Sequence, residues 1–273
     1  MKEYGEQNIN KWVNMNSSLI ELILLSQKRT KIFLFLKENP KTITEIREFL
    51  HSSSVAVLPQ LKILRENSLV MKKRDVYNLT PLGLAIAGRL QPIIDLTKVF
   101  GIQYDYWSSH AIECIPGPFL KRIGDLSDRT FSEQPGNAHL YEIHKEFVEN
   151  FMKAKKLSGI VSIFHPSHIS LFFNFVKMGR DISIIMTPQI HERMKEDFGD
   201  LLDESLKFEN ANLFVCREKI EFNFSVTDIL FFLTLPFSDG TYDLQSRVMG
   251  FDPVSLQWGE DLFSYYREMS EKV

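Results

Sequence analysis

The sequence predicts an α+β protein of two domains, a largely helical domain in residues 1–100 and a mixed α/β domain in residues 101–273. The chain has 273 residues, more than one typical domain, and its 44% hydrophobic and 25% charged residues are ordinary for a globular protein. Apolar residues recur with helical spacing from residue 19 onward. Short apolar runs then alternate with helical segments through residues 158–206, which is typical of an α/β sheet.

Charge is divided unevenly between the two predicted domains. Residues 1–100 contain 15 Lys and Arg against 9 Asp and Glu, a balance of +6. Residues 101–273 contain the remaining 17 basic and 26 acidic residues, a balance of -9, so the net charge of -3 conceals the asymmetry. Such a division favours one domain that faces nucleic acid, joined to one that does not.

Hydropathy and cysteine content exclude other classes of protein. The longest apolar runs, such as residues 229–235, are far shorter than the roughly 20 residues of a membrane span, and the N-terminus resembles neither a signal peptide nor a transit peptide. We therefore expect a cytoplasmic chain that contacts no membrane. Cys114 and Cys216 are too few for a disulfide framework and lack zinc-site spacing, so we expect both to be buried as small hydrophobes.

The N-terminal domain begins with helices. Residues 19–36 have the spacing of one or two helices, which end at Asn39 because the residue before proline avoids the α region. Thr42 then acts as an N-cap, and Glu45 completes a capping box that opens a short helix.

A polar turn and a second short helix follow. Ser53 is the expected N-cap of a helix through residues 55–67, in which Pro59 predicts a kink or a later start. Two short helices joined by a tight turn form a helix-turn-helix. Residues 69–79 read as a β-hairpin, and Thr80 with Pro81 starts a helix to about residue 99. This order predicts a winged helix.

The C-terminal domain is predicted from alternating strands and helices. A strand at residues 158–165 and one at 181–187, with a helix between them, imply a parallel pair and a crossover helix. Further antiparallel strands are expected at 212–218, 221–228 and 229–237. The remaining predicted elements are a strand at 105–115, a short helix at 118–125, a long helix at 138–156, a helix at 188–206 and a closing helix from Asp252-Pro253.

These residues resemble a known family. SSSVAVLPQLKILRENSLV and KKRDVYNLTPLG resemble the recognition helix, wing and following helix of the arsenic-repressor-like winged-helix regulators. LKRIGDL, EIHKEFVENFMKAK, GIVSIFHPSH, FSVTD and DPVSLQWGEDLFSYYRE resemble the effector domain of the methanogenesis regulatory protein family. The resemblance implies an archaeal transcription regulator. A comparable domain in related archaeal sugar-responsive regulators resembles the phospholipase D fold without its activity, which makes that fold one candidate here.

A DNA interface is predicted on the second helix of the helix-turn-helix and on the hairpin. The N-terminal part of the second helix enters the major groove in this motif, and the predicted contacts are Ser53, Ser54, Val55, Leu58, Gln60 and Lys62. An amide can pair bidentately with adenine, so Gln60 is the favoured base reader. Lys72, Lys73 and Arg74 form a cationic hairpin tip suited to phosphate or the minor groove. Solvated surface residues would have the same composition.

A ligand site is predicted where strands end in the C-terminal domain. Loops after parallel strands and next to helix N-termini collect polar ligands. The candidate residues are His165, Ser167, His168, Thr187 and Asp228, although structural hydrogen bonding would also account for each of them. His165 and His168 could share a metal ion, but no third ligand is close in sequence, so we expect no metal and no cofactor.

The sequence contains no catalytic motif that we can identify. No histidine has the H-x-K spacing of phospholipase D chemistry, and there is no nucleophile elbow, phosphate loop or H-E-x-x-H. We therefore expect a homodimeric regulator that binds double-stranded DNA and responds to an unknown small-molecule effector. The alternative is a sensor or protein-interaction module whose winged helix does not bind DNA, and a hydrolase is a third and weaker alternative.

Overall fold

The structure is a computed structural model that describes residues 19–126, 130–133, 151–163, 166–243 and 246–273. The chain divides into two compact units, residues 1–94 and 95–273. The predicted helix at residues 138–156 lies largely outside the described residues. In the part of the chain that is described, no helix is long and apolar enough to cross a membrane.

The first unit is a winged helix. After a helical segment at residues 19–24, its elements are α1 (Gln27–Glu38), β1 (Lys41–Thr42), α2 (Ile43–Phe49), α3 (Ser54–Glu66), β2 (Val70–Lys73), β3 (Val76–Leu79) and α4 (Pro81–Ile102). The strands form an antiparallel sheet in the order β1-β3-β2. The predicted order of helices and hairpin is confirmed, and β1 is an addition that the sequence analysis missed.

Local signals fix the helix boundaries of this unit. The capping box is confirmed, since the Thr42 backbone N–H donates to Glu45 Oε2 at 2.7 Å and the Glu45 N–H donates to Thr42 Oγ1 at 3.3 Å. Hydrogen bonds from the Thr42 backbone and side chain hold the pKa of Glu45 below its ordinary value. α3 starts at Ser54 and continues through Pro59, so the expected later start is wrong and the proline does not end the helix.

The second unit is built on a mixed sheet. Its elements are α5 (Tyr104–Ser109), α6 (Gly117–Leu120), β4 (Thr130–Glu133), β5 (Lys156–Val161), α7 (Pro166–Lys177), β6 (Asp181–Met186), α8 (Pro188–Ser205), β7 (Ala211–Cys216), β8 (Asn223–Thr227), β9 (Phe231–Thr234), β10 (Ser246–Gly250), α9 (Pro253–Glu268) and β11 (Ser270–Lys272). Short 3-10 turns occupy Ile112–Cys114 and Ile123–Leu126. The described strands form one eight-stranded sheet in the order β11-β7-β6-β5-β8-β9-β10-β4.

The centre of this sheet is parallel and its flanks are antiparallel. β5 and β6 pair in parallel, as predicted, with Val161 opposite Met186. β7 also pairs in parallel with β6, so the expectation of an antiparallel strand there is wrong, whereas β8 and β9 are antiparallel as expected. The reason is α8, because a helix of 18 residues carries the chain back across the sheet and starts β7 in the same direction.

Helices cover both faces of the sheet. Along β6, Ile184 and Met186 belong to a core shared with α7 and α8, whereas Ile185 belongs to the core on the other face. That second core contains Trp258 and Leu262 of α9 and most of the buried residues of segment 96–126. The alternation is the period-two pattern expected of a strand between two layers of helix.

The strand predicted at residues 105–115 is wrong. These residues form α5, one isolated bridge from His110 to Phe237, and a 3-10 turn. Tyr106 and Trp107 are nearly fully buried in the core, so their packing decides the backbone in place of their β propensity. The buried His110 Nε2 also lies 3.0 Å from Asp243 Oδ2 and ties α5 to the loop before β10.

The two cysteines differ in environment. Cys216 is buried, as expected. Cys114 is only half-buried, so that part of the prediction is wrong, and its thiol donates to Glu221 Oε2 at 3.6 Å. Burial and then the negative charge of Glu221 raise the pKa of Cys114 to about 11. The thiolate that reactivity requires is therefore suppressed at neutral pH.

Candidate functional site

The turn between α2 and α3 presents the start of α3. His51 adopts a left-handed backbone with φ of 47°, and the Ser52 hydroxyl donates to the Leu50 carbonyl at 3.0 Å. Ser53 is the N-cap residue and is exposed, but its side chain makes no capping hydrogen bond. The first N–H groups of α3 therefore lack a side-chain cap, and such groups at a helix start suit a phosphate oxygen.

Three predicted contact residues of α3 face solvent. Val55 is 83% exposed and Leu58 is 46% exposed. Lys62 is exposed and lies 3.8 Å from Glu66, a weak surface pair that a phosphate could replace. Ser54 is half-buried in the first turn. Apolar side chains can contact the thymine methyl in the major groove, and Lys62 can contact the backbone.

Gln60 is not the free outward side chain that the sequence analysis predicted. It is half-buried, and its Oε1 accepts from Arg29 Nε at 3.0 Å and from the Ser26 hydroxyl at 3.3 Å. On the helix surface, position 60 lies between the buried Val57 and Leu64, which brings it against α1. Bidentate pairing with adenine needs the same carbonyl oxygen, so base reading would require these bonds to break.

The wing carries the predicted cations at its tip. Lys72, Lys73 and Arg74 are all exposed, and Lys73 pairs with Val76 across a two-residue loop. Arg74 adopts φ of 54°, a left-handed conformation that holds its side chain at the tip. Among the residues that the structure describes, no carboxylate lies within ion-pair distance of these three. The three cations could therefore turn to a phosphate backbone, although Lys72 Nζ also lies 5.6 Å from the centre of the Tyr77 ring.

The predicted ligand residues are only partly brought together. Ser167 and His168 lie in the first turn of α7, after the end of β5, and His165 lies outside the described residues. Thr187 follows β6 and caps α8, where its hydroxyl accepts from the Ile190 N–H at 3.4 Å. These positions share the edge of the sheet at which the parallel strands end.

Asp228 does not belong to that cluster. It is exposed and its Oδ1 accepts from the Lys155 N–H at 2.9 Å, at the start of β5. β8 runs antiparallel to β5, so Asp228 lies about one strand length, roughly 20 Å, from Thr187. The physical reason is that the antiparallel β8 ends beside the start of β5, at the opposite edge of the sheet from Thr187. We therefore remove Asp228 from the candidate ligand site.

A residue that the sequence analysis missed organises the loop after β5. Asn223 Oδ1 accepts from the N–H groups of Ser162 and Ile163 at 2.8 and 3.2 Å. The Ser162 hydroxyl donates to the Phe222 carbonyl at 2.9 Å. These N–H groups are thus committed to the protein itself. No local signal marks Asn223, since its partners Ser162 and Ile163 are 61 and 60 residues away. Within the described ranges, no cluster of three His, Cys, Asp or Glu could hold a metal ion.

Two parts of the chain match two domains of the same protein family. The methanogenesis regulatory protein FilR1, N-terminal domain, matches residues 18–98, and its middle domain matches residues 140–269. The methanogenesis regulatory protein FilR1 of Methanothrix harundinacea (strain 6Ac) is 24% identical over 259 residues. The alignment covers 93% of this chain and 58% of the relative, so this chain spans less than two thirds of that protein.

Solved structures show weaker likeness. TrmBL2, described as an archaeal chromatin protein with a novel mode of DNA binding, is 14% identical with a TM-score of 0.42, over 97% of this chain and 99% of TrmBL2. The transcriptional repressor BigR from Xylella fastidiosa is 20% identical with a TM-score of 0.30, over 32% of this chain and 91% of BigR. Both TM-scores are too low to assign a shared function.

Proposed function

Because the chain belongs to the family of the methanogenesis regulatory protein FilR1, we propose that it is a DNA-binding transcription regulator. The observation that carries the proposal is the unit 1–94, in which an exposed helix surface and a cationic wing occur in one winged helix. α3 would enter the major groove with Val55 and Leu58 toward the bases and Lys62 toward a phosphate. Lys72, Lys73 and Arg74 would contact the flanking backbone or minor groove.

We propose further that the regulator is a homodimer that pairs through α4. Within residues 81–94, Leu82 and Ile93 are exposed, and their separation of eleven residues, about three helical turns, places them on one face of α4. Only one residue of this stretch is charged. An exposed apolar face on a helix is suited to burial against a partner, so this face fits a second copy related by two-fold symmetry. Such a dimer would read two half-sites.

The second unit fits a sensing role. We propose that a small molecule bound to it changes the affinity for DNA, which requires that the ligand bind two states of the protein unequally. Ser167, His168 and Thr187, together with His165, remain candidate contacts for a polar part of that molecule. A phospholipase D-like fold of this domain, and a cytoplasmic location beside the chromosome, belong to the same proposal and remain predictions.

The salt dependence of DNA binding tests the proposed interface. Anisotropy of a fluorescent random duplex, titrated with the full chain at several salt concentrations, is expected to show log K falling linearly with log salt. The variant Lys72→Ala, Lys73→Ala, Arg74→Ala should reduce the magnitude of this slope by about 0.9 for each phosphate that the wing no longer neutralises. The matched control Lys195→Ala, Lys207→Ala, Lys219→Ala changes the net charge equally, with three exposed lysines of the second unit.

The result of this titration also distinguishes a DNA-binding regulator from the second candidate function, a module that does not bind DNA. Exposed Val55 and Leu58 would suit a protein partner as well as a thymine methyl, which favours a module that does not bind DNA as the second candidate. A chain that leaves the duplex free at low salt would support that alternative. Equal slope changes in the wing variant and in its control would exclude the wing from the interface.

A further inference from the structure

A cavity lies between the sheet and the two helices that cover one of its faces. It is formed by α7, α8 and the parallel strands β5, β6 and β7; the cavity itself has a volume of about 50 Å³, within a wider space of about 650 Å³ that includes its open mouth. Val161 and Met186, the last residues of β5 and β6, line one end of the cavity. Ala211, the first residue of the parallel strand β7, also belongs to the lining. The whole cavity lies within the second unit.

The side chains that line the cavity favour an apolar ligand over a polar one. Of the described residues that line the cavity, every one except Ser205 has an aliphatic, aromatic or thioether side chain. The Ser205 hydroxyl donates to the Leu201 carbonyl at 2.7 Å, so its hydrogen is committed to its own helix. A polar ligand would lose hydrogen bonds with water and find no replacement, whereas apolar cavities stay dry and accept hydrocarbon molecules.

The wall of the cavity has a break that would let it adjust. α8 is interrupted at Phe198, where φ of -143° and ψ of 32° are not helical. Ile190 and Met194 line the cavity before the break, and Leu201 and Ser205 line it after the break. The two halves of α8 are therefore joined at one non-helical residue, the kind of position at which hinges occur. Methionine on such a wall adapts readily to ligand shape.

We propose that this cavity is the effector site and that it binds a small apolar molecule, an aromatic ring or a short hydrocarbon chain. The assignment as an effector site rests on the proposed function of a ligand-responsive regulator. The binding itself does not, because it follows from the lining alone. The proposal differs from the polar site predicted at the strand ends, since the lining offers a polar ligand no free partner.

Methionine methyl groups provide a direct test with toluene as the probe. The full chain, labelled with ¹³C in its methionine methyl groups, is titrated with toluene and followed by NMR. We expect saturable shifts of Met186 and Met194, which line the cavity, and none of Met71 or Met269, which do not. Ser205→Phe should abolish the saturable shifts because its ring occupies the cavity.

Control variants keep the result interpretable. Asp203→Phe places the same ring on the exposed side of the same half of α8 and should preserve the shifts. Ser205→Leu, whose side chain fills less of the cavity, replaces Ser205→Phe if urea denaturation shows that Ser205→Phe is unfolded. Ser205→Leu should weaken the saturable shifts. Shifts that fail to saturate, that spread equally to Met71, or that survive both Ser205 variants would overturn the cavity proposal. A chain that binds toluene in this way but never binds duplex DNA would contradict the regulator proposal alone.

Discussion

The amide of Gln60 can either read a base or accept hydrogen bonds within the protein, but its carbonyl oxygen cannot do both. A base reader must keep its carbonyl oxygen and its amino group free, whereas the structure commits the carbonyl of Gln60 to Arg29 and Ser26. Arg29 also donates to the Leu22 carbonyl, so it connects α3 with the helical segment that precedes α1. The geometry indicates that Gln60 holds α3 in place against α1.

This assignment separates two substitutions on the same helix. Gln60→Ala should lower the free energy of unfolding by about 1 to 2 kcal/mol, because Arg29 loses a charge-assisted hydrogen bond in a partly solvated place. Lys62→Ala, at an exposed position, should change stability by less than about 0.5 kcal/mol and should instead weaken DNA binding. Urea denaturation and anisotropy titrations measure the two effects. An unchanged stability of Gln60→Ala, with a loss confined to one DNA sequence, would restore its predicted role as base reader.

Single residues were predictable where their partners are near in sequence. Thr42 and Glu45 are three residues apart, and both hydrogen bonds of their capping box follow from that spacing. Asn223 and Asp228 could not be placed, because their partners lie 60 and 73 residues away and depend on which strands become neighbours. The DNA and ligand contacts assigned to individual residues remain predictions.

At the scale of elements, hydrophobic periodicity predicted whether a segment is a helix or a strand better than it predicted the direction of a strand in the sheet. α7 begins at Pro166 and ends at Lys177, as the apolar spacing and the proline indicated. The parallel direction of β7 was missed, since an apolar run has the same composition in either orientation. α5 was mistaken for a strand because Tyr106 and Trp107 favour strands in general, and only their burial in this core shows why they are helical here.

The junction between α4 and the wing provides a prediction for an element. A Cβ on Gly83 would lie 2.1 Å from the Leu69 carbonyl oxygen, which also accepts from the Thr80 N–H at 3.0 Å. Backbone held by that bond cannot move freely, so Gly83→Ala should destabilise the winged helix by about 1 to 3 kcal/mol or more. Thermal unfolding measures the loss.

The same helix offers a matched control for that substitution. Gly101 also lies in α4, but no atom is within 4 Å of its missing Cβ. Gly101→Ala should therefore raise stability by up to about 1 kcal/mol through helix propensity alone. If both variants behaved alike, the close approach of α4 to Leu69 would not be what fixes the wing.

At the scale of the whole molecule, composition indicated two functions before any element was placed. The excess of positive charge in residues 1–100 fits the wing and α3, and the acidic remainder fits a domain that does not face DNA. The compact units divide between residues 94 and 95, inside α4, so no linker marks the boundary in the sequence. The predicted boundary at residue 100 and the functions of the two domains remain predictions.

The proposed dimer gives a prediction for the assembled protein. Leu82→Glu with Ile93→Glu places two charges on the α4 face, where the native side chains are 48% and 54% exposed. Such exposure means that each protomer should fold normally, but desolvating two unpaired carboxylates at an interface should dissociate the dimer. Light scattering should report a dimer for the native chain and a monomer for the variant. DNA affinity should fall with it, because a monomer binds one half-site without the second.

A double variant in the second unit controls for the added charge. Met178→Glu with Val254→Glu alters side chains that are 53% and 54% exposed, so it matches the α4 variant in exposure and in net charge. It should remain dimeric and should lose only the small affinity that two extra negative charges remove at low salt. If the native chain scattered as a monomer at micromolar concentration, or if both variants dissociated equally, α4 would not be the interface. The exposed aliphatic residues of α4 would then require a different partner.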